Sequence, residues 1–235
     1  PLLRVSDSRN FGRTLAALGL VAGPALYLLA TLVDPAWSDD PVTYMQEVAD
    51  AKGRYVLAGV LWTLGSFLFV AGALGVVRLL RGRAVTLGQV GGCLLTIGAI
   101  GTTGVLAFYG FDVALADFAD RPAAVAFSEE LEASALLNAY YLVVFLGGIA
   151  LGSVLLAIAL IRRRLVPIWS PILLMVSPVL AFIGQTRALG VLSLLLFVVA
   201  LFPLAMRIWA LSDDDWERWE PLPSAPGSPE PPPTI

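Results

Sequence analysis

The side chains in this sequence with the chemistry to act on a substrate are few, and most lie in two acidic stretches. "YGFDVALADFAD", Tyr109 to Asp120, ends a long apolar run in Asp112 and Asp117; "DPVTYMQEVADAKGRY" opens at Asp40 and carries Glu47 and Asp50. Carboxylates can serve as general acid and base when a pair flanks a reacting bond, and an acid inside a membrane is the usual mark of an ion or proton path. No pair here has a spacing that compels acid–base chemistry. The absent residue types narrow the field further. There is no His, which excludes a His-held haem or zinc and a Ser-His-Asp triad. Cys93 is the only Cys, so an internal disulfide, a CxxC pair and an iron–sulfur cluster are excluded. Lys52, the only Lys, falls in a polar connection rather than an apolar run, where a Schiff base within a helix would need it. No catalytic residue, metal ligand or cofactor is assigned, and the reading leans away from an enzyme. A net charge of -3 offers no basic surface for nucleic acid.

A second set of groups points to binding. Thr102, Thr103, Tyr109, Asn138, Tyr141 and Gln185 gather at one end of the apolar runs, with Asp112, Asp34 and Arg187 at the rim. Asn138 and Tyr141 are three apart and share a helical face. They are either interhelical glue and an aromatic belt or the lining of an outward pocket for a lipid or small apolar ligand. The stretch "PIWSPILLMVSPVL" holds Pro167, Pro171 and Pro178, with Ser170 and Ser177 each preceding a proline. Proline frees a carbonyl and kinks a helix; broken helices build substrate sites in many transporters, although hydroxyls can also satisfy the freed groups.

These groups must be held by membrane helices. The chain of 235 residues is 58% hydrophobic and 14% charged, far less charged than the roughly 25% of soluble domains. Six apolar segments emerge at about 14–33, 55–80, 84–111, 133–161, 165–184 and 188–211, each near the roughly 20 residues that cross a bilayer. The expected fold is all-α, a polytopic bundle of six spans. Arg4, Arg9 and Arg13 precede the first span, Arg78, Arg81 and Arg83 follow the second, and Arg162, Arg163 and Arg164 follow the fourth; the alternate connections are acidic. That alternation predicts cytoplasmic termini in a bacterial inner membrane. The first apolar run exceeds the core of a signal peptide and is read as a retained span. Asp112 then falls where the third helix leaves the lipid, and Asp34 closes the first span in the same way.

The layout divides into a segment 1–13, a bundle 14–211 and a tail 212–235. Within the bundle two hairpins, 14–83 and 84–164, repeat at an offset of about 81 residues, Pro41 matching Pro122, and a third hairpin covers 165–211. After Asp40 and Pro41, an N-cap and first helical residue, Val42, Met45 and Val48 are expected on one face of a short interfacial helix. GxxxG pairs at Gly19/Gly23 and Gly148/Gly152, and the run Gly88–Gly104, predict close helix packing. The tail starts with Ser212 and three acids, puts Trp216 and Trp219 on one face, and becomes proline-rich, with Pro223, Pro226 and Pro229 in PxxP spacings.

Six spans, "DP" after the first, "GRYVLAG" leading into the second and arginine stops: this layout over residues 11–211 loosely resembles uncharacterised six-span bacterial membrane protein families. The resemblance implies no activity and supplies no site. Two functions are expected from the residues. The first is a non-catalytic subunit or scaffold of a larger membrane complex, contacting other subunits or its own copies through glycine faces and the tail. The alternative is a transporter, channel or lipid-binding protein using the polar cluster and the kinked fifth span. A continuous cavity reaching Ser177 would favour the second, and tight packing there the first.

Overall fold

The computed structural model describes residues 8–80, 86–183 and 186–217. Every regular element among them is helical. The first hairpin consists of α1 (Ser8–Val33), a short α2 (Pro41–Asp50) across its end, and α3 (Lys52–Leu79). The second runs through α4 (Thr86–Thr102), α5 (Val105–Ala116), α6 (Arg121–Glu132) and α7 (Ala135–Tyr141), then a π-helical segment (Leu142–Leu151) continuing into α8 (Gly152–Arg163). Last come α9 (Trp169–Ile183), α10 (Arg187–Trp209) and a single turn, α11 (Asp213–Glu217).

Local chemistry sets these boundaries. Asp40 accepts from the Thr43 N–H at 2.8 Å with Pro41 at the first helical position, and Asp120 accepts from the Ala123 N–H at 3.1 Å with Pro122 just inside α6. Each carboxylate satisfies an orphan donor at its helix start. Ser134 and Thr186 cap α7 and α10 likewise. Arg164 ends α8 in the left-handed region at φ 49°.

Five helical segments are long and apolar enough to cross a membrane: Asn10–Val33, Lys52–Leu79, Thr86–Ala116, Ala135–Arg163 and Arg187–Trp209. The expected fifth span, 165–184, is shorter than its apolar run. Pro167 keeps the residues before it out of the helix, so α9 has only 15 residues. The third segment is not one straight helix either. Between α4 and α5 the chain tightens, Gly104 N–H bonding the Gly101 carbonyl at 3.1 Å, while the Thr102 and Thr103 hydroxyls donate back to Ala99 and Ile100 at 2.8 and 2.6 Å. Such back-bonding bends helices. The short interfacial helix is also rotated from expectation: Met45 and Val48 are buried but Val42 is exposed, because Tyr44 turns inward instead.

Glycine governs how the long helices meet. α1 and α3 cross antiparallel with backbones in contact. A Cβ on Gly72 would stand 2.6 Å from the Leu20 nitrogen, one on Gly65 2.8 Å from the Gly23 carbonyl oxygen, and one on Gly19 would run into the Leu68 carbonyl. α4 meets the π segment and α8 in the same way, Gly91 against Leu156 and Gly152, and Gly98 against Gly148. A single apolar cluster joins the two pairs to α10 through Leu20, Phe69, Leu156, Leu160 and Leu201. At the arginine end, α11 folds back on the first hairpin. Arg13 pairs with Asp213 at 2.9 Å and donates to the Leu211 carbonyl, and Arg78 donates to the Trp216 carbonyl at 2.8 Å while its guanidinium lies 4.9 Å from the buried indole.

The seams make a paired prediction. Gly72→Ala forces two backbones apart and is expected to cost about 1–3 kcal/mol, as overpacking does. Gly110→Ala, where an added Cβ meets nothing within 4 Å, is expected to gain up to about 1 kcal/mol from helix propensity. Thermal unfolding of both variants in one detergent checks this; equal effects would remove the seam from the account.

Candidate functional site

The acidic end of the bundle holds a network built from four elements. Tyr55, at the start of α3, donates to Asp112 Oδ2 at 2.5 Å. Tyr44, on α2, lies 3.1 Å from the same oxygen and 2.5 Å from the Tyr55 hydroxyl. Each phenol has one proton, so Tyr55's goes to Asp112 and Tyr44's is shared between Tyr55 and Asp112. One turn back on α5, Tyr109 donates to Asp34 Oδ2 at 2.6 Å, and the Ala36 N–H donates to Asp34 Oδ1 at 3.0 Å. The Tyr55 and Tyr109 rings lie 4.4 Å apart, and Tyr109 fits because Gly59 has no side chain to meet its ring. Glu47 accepts from the Trp37 and Ser38 N–H groups at 2.8 and 3.2 Å, which ties the 34–40 loop to α2.

Asp112 is therefore more than a point of exit. α5 continues to Ala116, and the acid faces inward under α2 instead of leaving the bundle at 111. The sequence placed a chain end there because an apolar run stopped; the fold carries the helix on and covers the charge with two phenols. Asp112 is half-buried and Asp34 is buried. Burial pushes its carboxyl above the usual carboxylate range, opposed by the Tyr109 hydroxyl, the Ala36 N–H and the charges of Arg187 and Arg54. Burial, and next the Asp112 carboxylate, push the Tyr44 phenol up, so it stays a neutral donor. Exposed Asp40 sits below its ordinary value, held by the Thr43 hydroxyl and N–H.

Beside this network a cleft of about 930 Å³ opens between the first hairpin, the π segment and the α9–α10 pair. Its walls are Phe145 and Leu146 from the π segment, Ala181 and Phe182 from α9, and Leu194 and Phe197 from α10. The polar groups are few. At the deep side Tyr27 donates to Ser66 at 3.1 Å and Ser66 to Thr102 at 2.9 Å, a closed hydroxyl cluster. Trp37 reaches the wall against Gly190, and its buried Nε1 has no hydrogen-bond partner among the described residues. A smaller cavity of about 280 Å³, lined by the Tyr–Asp network, shares Thr31, Trp37, Trp62, Tyr141 and Phe145 with the cleft.

Of the residues singled out from sequence, Asn138, Tyr141, Thr102 and Ser177 line the cleft, and Tyr109 and Asp112 line the adjoining cavity. Thr103 instead closes the bend between α4 and α5. Ser170 is buried away from the cleft, donating to the Ala200 carbonyl of α10 at 2.7 Å. The Ser177 hydroxyl lies 3.5 Å from the Leu174 carbonyl that Pro178 frees, and Ser193 donates to the Ser177 carbonyl at 2.7 Å. Arg187 stands at the rim on the Leu32 carbonyl, 2.6 Å away. Trp216 packs under Arg78; Gln185, Trp219, Pro223, Pro226 and Pro229 lie outside the described residues. Missed from sequence were Tyr44, Tyr55, Trp37 and Trp62. The available signal was a pair of tyrosines within one acidic stretch. No protein-family model matches this chain, and no curated protein or solved structure matches it.

Asp34 gives a pH-dependent prediction. Its folded pKa lies above the unfolded value, so its contribution to stability is full below the ordinary carboxylate range and is lost as pH rises through the raised value. Tyr109→Phe removes a donor that stabilises the charged form. The loss should then extend to higher pH, with a cost of about 1.5–3 kcal/mol at neutral pH and a smaller one in acid. Thermal unfolding at the two pH values reads this out, and an equal cost at both would refute it.

Proposed function

We propose that this chain is a multi-pass membrane protein that holds a lipid or another elongated apolar ligand in the cleft between the π segment and the α9–α10 pair. The observation that carries this reading is the cleft itself. It reaches Ser177, has the volume of a ligand site of roughly 300–1,000 Å³, and combines apolar walls with a few polar groups. A π-helical stretch forms one wall, and such stretches often mark functional sites. The subunit reading has less behind it. Many of the glycines it would use for partner contacts pack within the chain, and the described part of the tail clasps its own bundle.

The proposal includes orientation and topology. The arginine-rich end lies in the bacterial cytoplasm and the acidic end outside, following the positive-inside rule. α9, about 22 Å long at 1.5 Å per residue, completes a sixth crossing with the residues leading into it, the bilayer thinning locally to match. The two hairpins are copies of one unit. In support, each carries an Asp-capped, proline-led helix at its acidic end and a glycine crossing within it.

Extraction in a mild non-ionic detergent followed by native mass spectrometry tests the ligand. The unmodified chain is expected to retain bound lipid, which Ala181→Trp, filling the cleft, should lose without a change in melting temperature. Equal retention by both proteins would sink the reading. A hetero-assembly that dissociates on deletion of 212–235 would return the subunit reading.

A further inference from the structure

The small cavity differs in character from the cleft it joins. Many of the residues lining it are aromatic: Tyr55, Tyr109, Phe108 and Tyr140, with Trp37 and Trp62 shared with the cleft. Two carboxylates, Asp34 and Asp112, line it, and among the described residues no Lys or Arg does. All hydrogen bonds given to these carboxylates come from neutral groups, namely three phenols and one backbone N–H. Neither acid has an ion-pair partner within 4.0 Å among the described residues. The nearby guanidiniums of Arg54 and Arg187 sit at the rim on the Val33 and Leu32 carbonyls.

A carboxylate withdrawn from water needs a countercharge, and an aromatic ring offers a cation its negative face. We infer that the cavity is a receptor for a substituted ammonium group, and that the ligand of the cleft is a cationic-headed amphiphile whose ammonium enters the aromatic box while its hydrocarbon lies along the π segment. The shared wall of Thr31, Trp37, Trp62, Tyr141 and Phe145 makes the two spaces continuous, as a head and tail require. An anionic head group meets the opposite situation: two like charges in the box and Glu132 lining the cleft. This inference rests on the cleft being a ligand site.

The test uses the full chain in non-ionic detergent, titrated in native mass spectrometry with three single-chain probes of equal length: an alkyltrimethylammonium, an alkyl alcohol and an alkyl carboxylate. The ammonium probe is expected to bind about tenfold or more tighter than the other two. Asp112→Asn keeps an oxygen that accepts from Tyr44 and Tyr55, and should bring the ammonium probe down to the level of the alcohol while leaving the alcohol unchanged. Trp37→Leu, on a different element, should reduce the same preference, so the test survives if one variant fails to fold. Equal binding of ammonium and alcohol by the unmodified chain, or a preference for the carboxylate, would overturn the ammonium site while leaving the cleft intact. Absence of binding by all three would overturn the cleft reading, and the ammonium site with it. Displacement of the ammonium probe by phosphatidylcholine would support the site with a lipid head group as its source, and displacement by free choline would support it with a soluble one.

Discussion

Backbone-to-backbone contact through glycine is the constraint on which the rest of this structure depends. In lipid, one apolar helix gains nothing by touching another except packing, because acyl chains are as apolar as leucine. Close approach therefore has to be written into the residues at the crossing. Gly19 and Gly23 against Gly65 and Gly72, and Gly91 and Gly98 against Gly148 and Gly152, permit it in two antiparallel pairs. Contacts between the pairs, Gly92 against Val77 and Gly59 against the Tyr109 ring, then set α5 on the first hairpin and so place Tyr44 and Tyr55 at Asp112. Among the described residues, no glycine brings α9 or α10 into such contact with the second hairpin near the acidic end. There the π segment and α9 carry bulky side chains and stand on opposite sides of the cleft.

Many of the buried polar groups follow the complementary rule that a donor or acceptor withdrawn from water finds a partner. Where Pro178 frees the Leu174 carbonyl the Ser177 hydroxyl is close by, and at the α4–α5 bend Tyr140 gives the Gly101 carbonyl a second donor at 2.5 Å. The Tyr27–Ser66–Thr102 cluster closes on itself and onto the Trp62 and Ala99 carbonyls. Among the described residues the Trp37 Nε1 and the Thr63 and Ser153 hydroxyls are exceptions, and of these Trp37 lies where the cleft and the aromatic cavity meet.

Much of the scaffold was legible in the sequence because it depends on local residues. Asp40 with Pro41 announced α2, the length of the apolar runs announced the crossing helices, and small residues at helical spacing announced the seams. What failed had non-local causes. The end of α5 was misplaced because an acid normally marks the edge of an apolar run; the phenols that cover Asp112 come from α2 and α3, more than fifty residues earlier. α2 was rotated for the same reason, since the pull of Asp112 on Tyr44 outweighs the burial of Val42. The bend at Thr102–Gly104 needs hydroxyl back-bonding that glycine and threonine permit but do not compel. Nothing in "LVVFLGGIAL" distinguishes a π-helical turn from an α-helical one.

The cleft and the acidic network have one origin in the loop between α1 and α2. Glu47 holds that loop by two main-chain donors, and its turn does two things at once. It sets Asp34 beneath the Tyr109 hydroxyl, and it sends the Trp37 ring across to Gly190 on α10, where an added Cβ would stand 3.3 Å from the ring. Trp37 thereby becomes the common wall of an apolar space and an acidic one. A ligand with a single chemical character would fill one of these and leave the other wet. An amphiphile with a cationic head would fill both, and its contacts with Trp37, Trp62 and Phe145 would join the first hairpin to the π segment across the cleft.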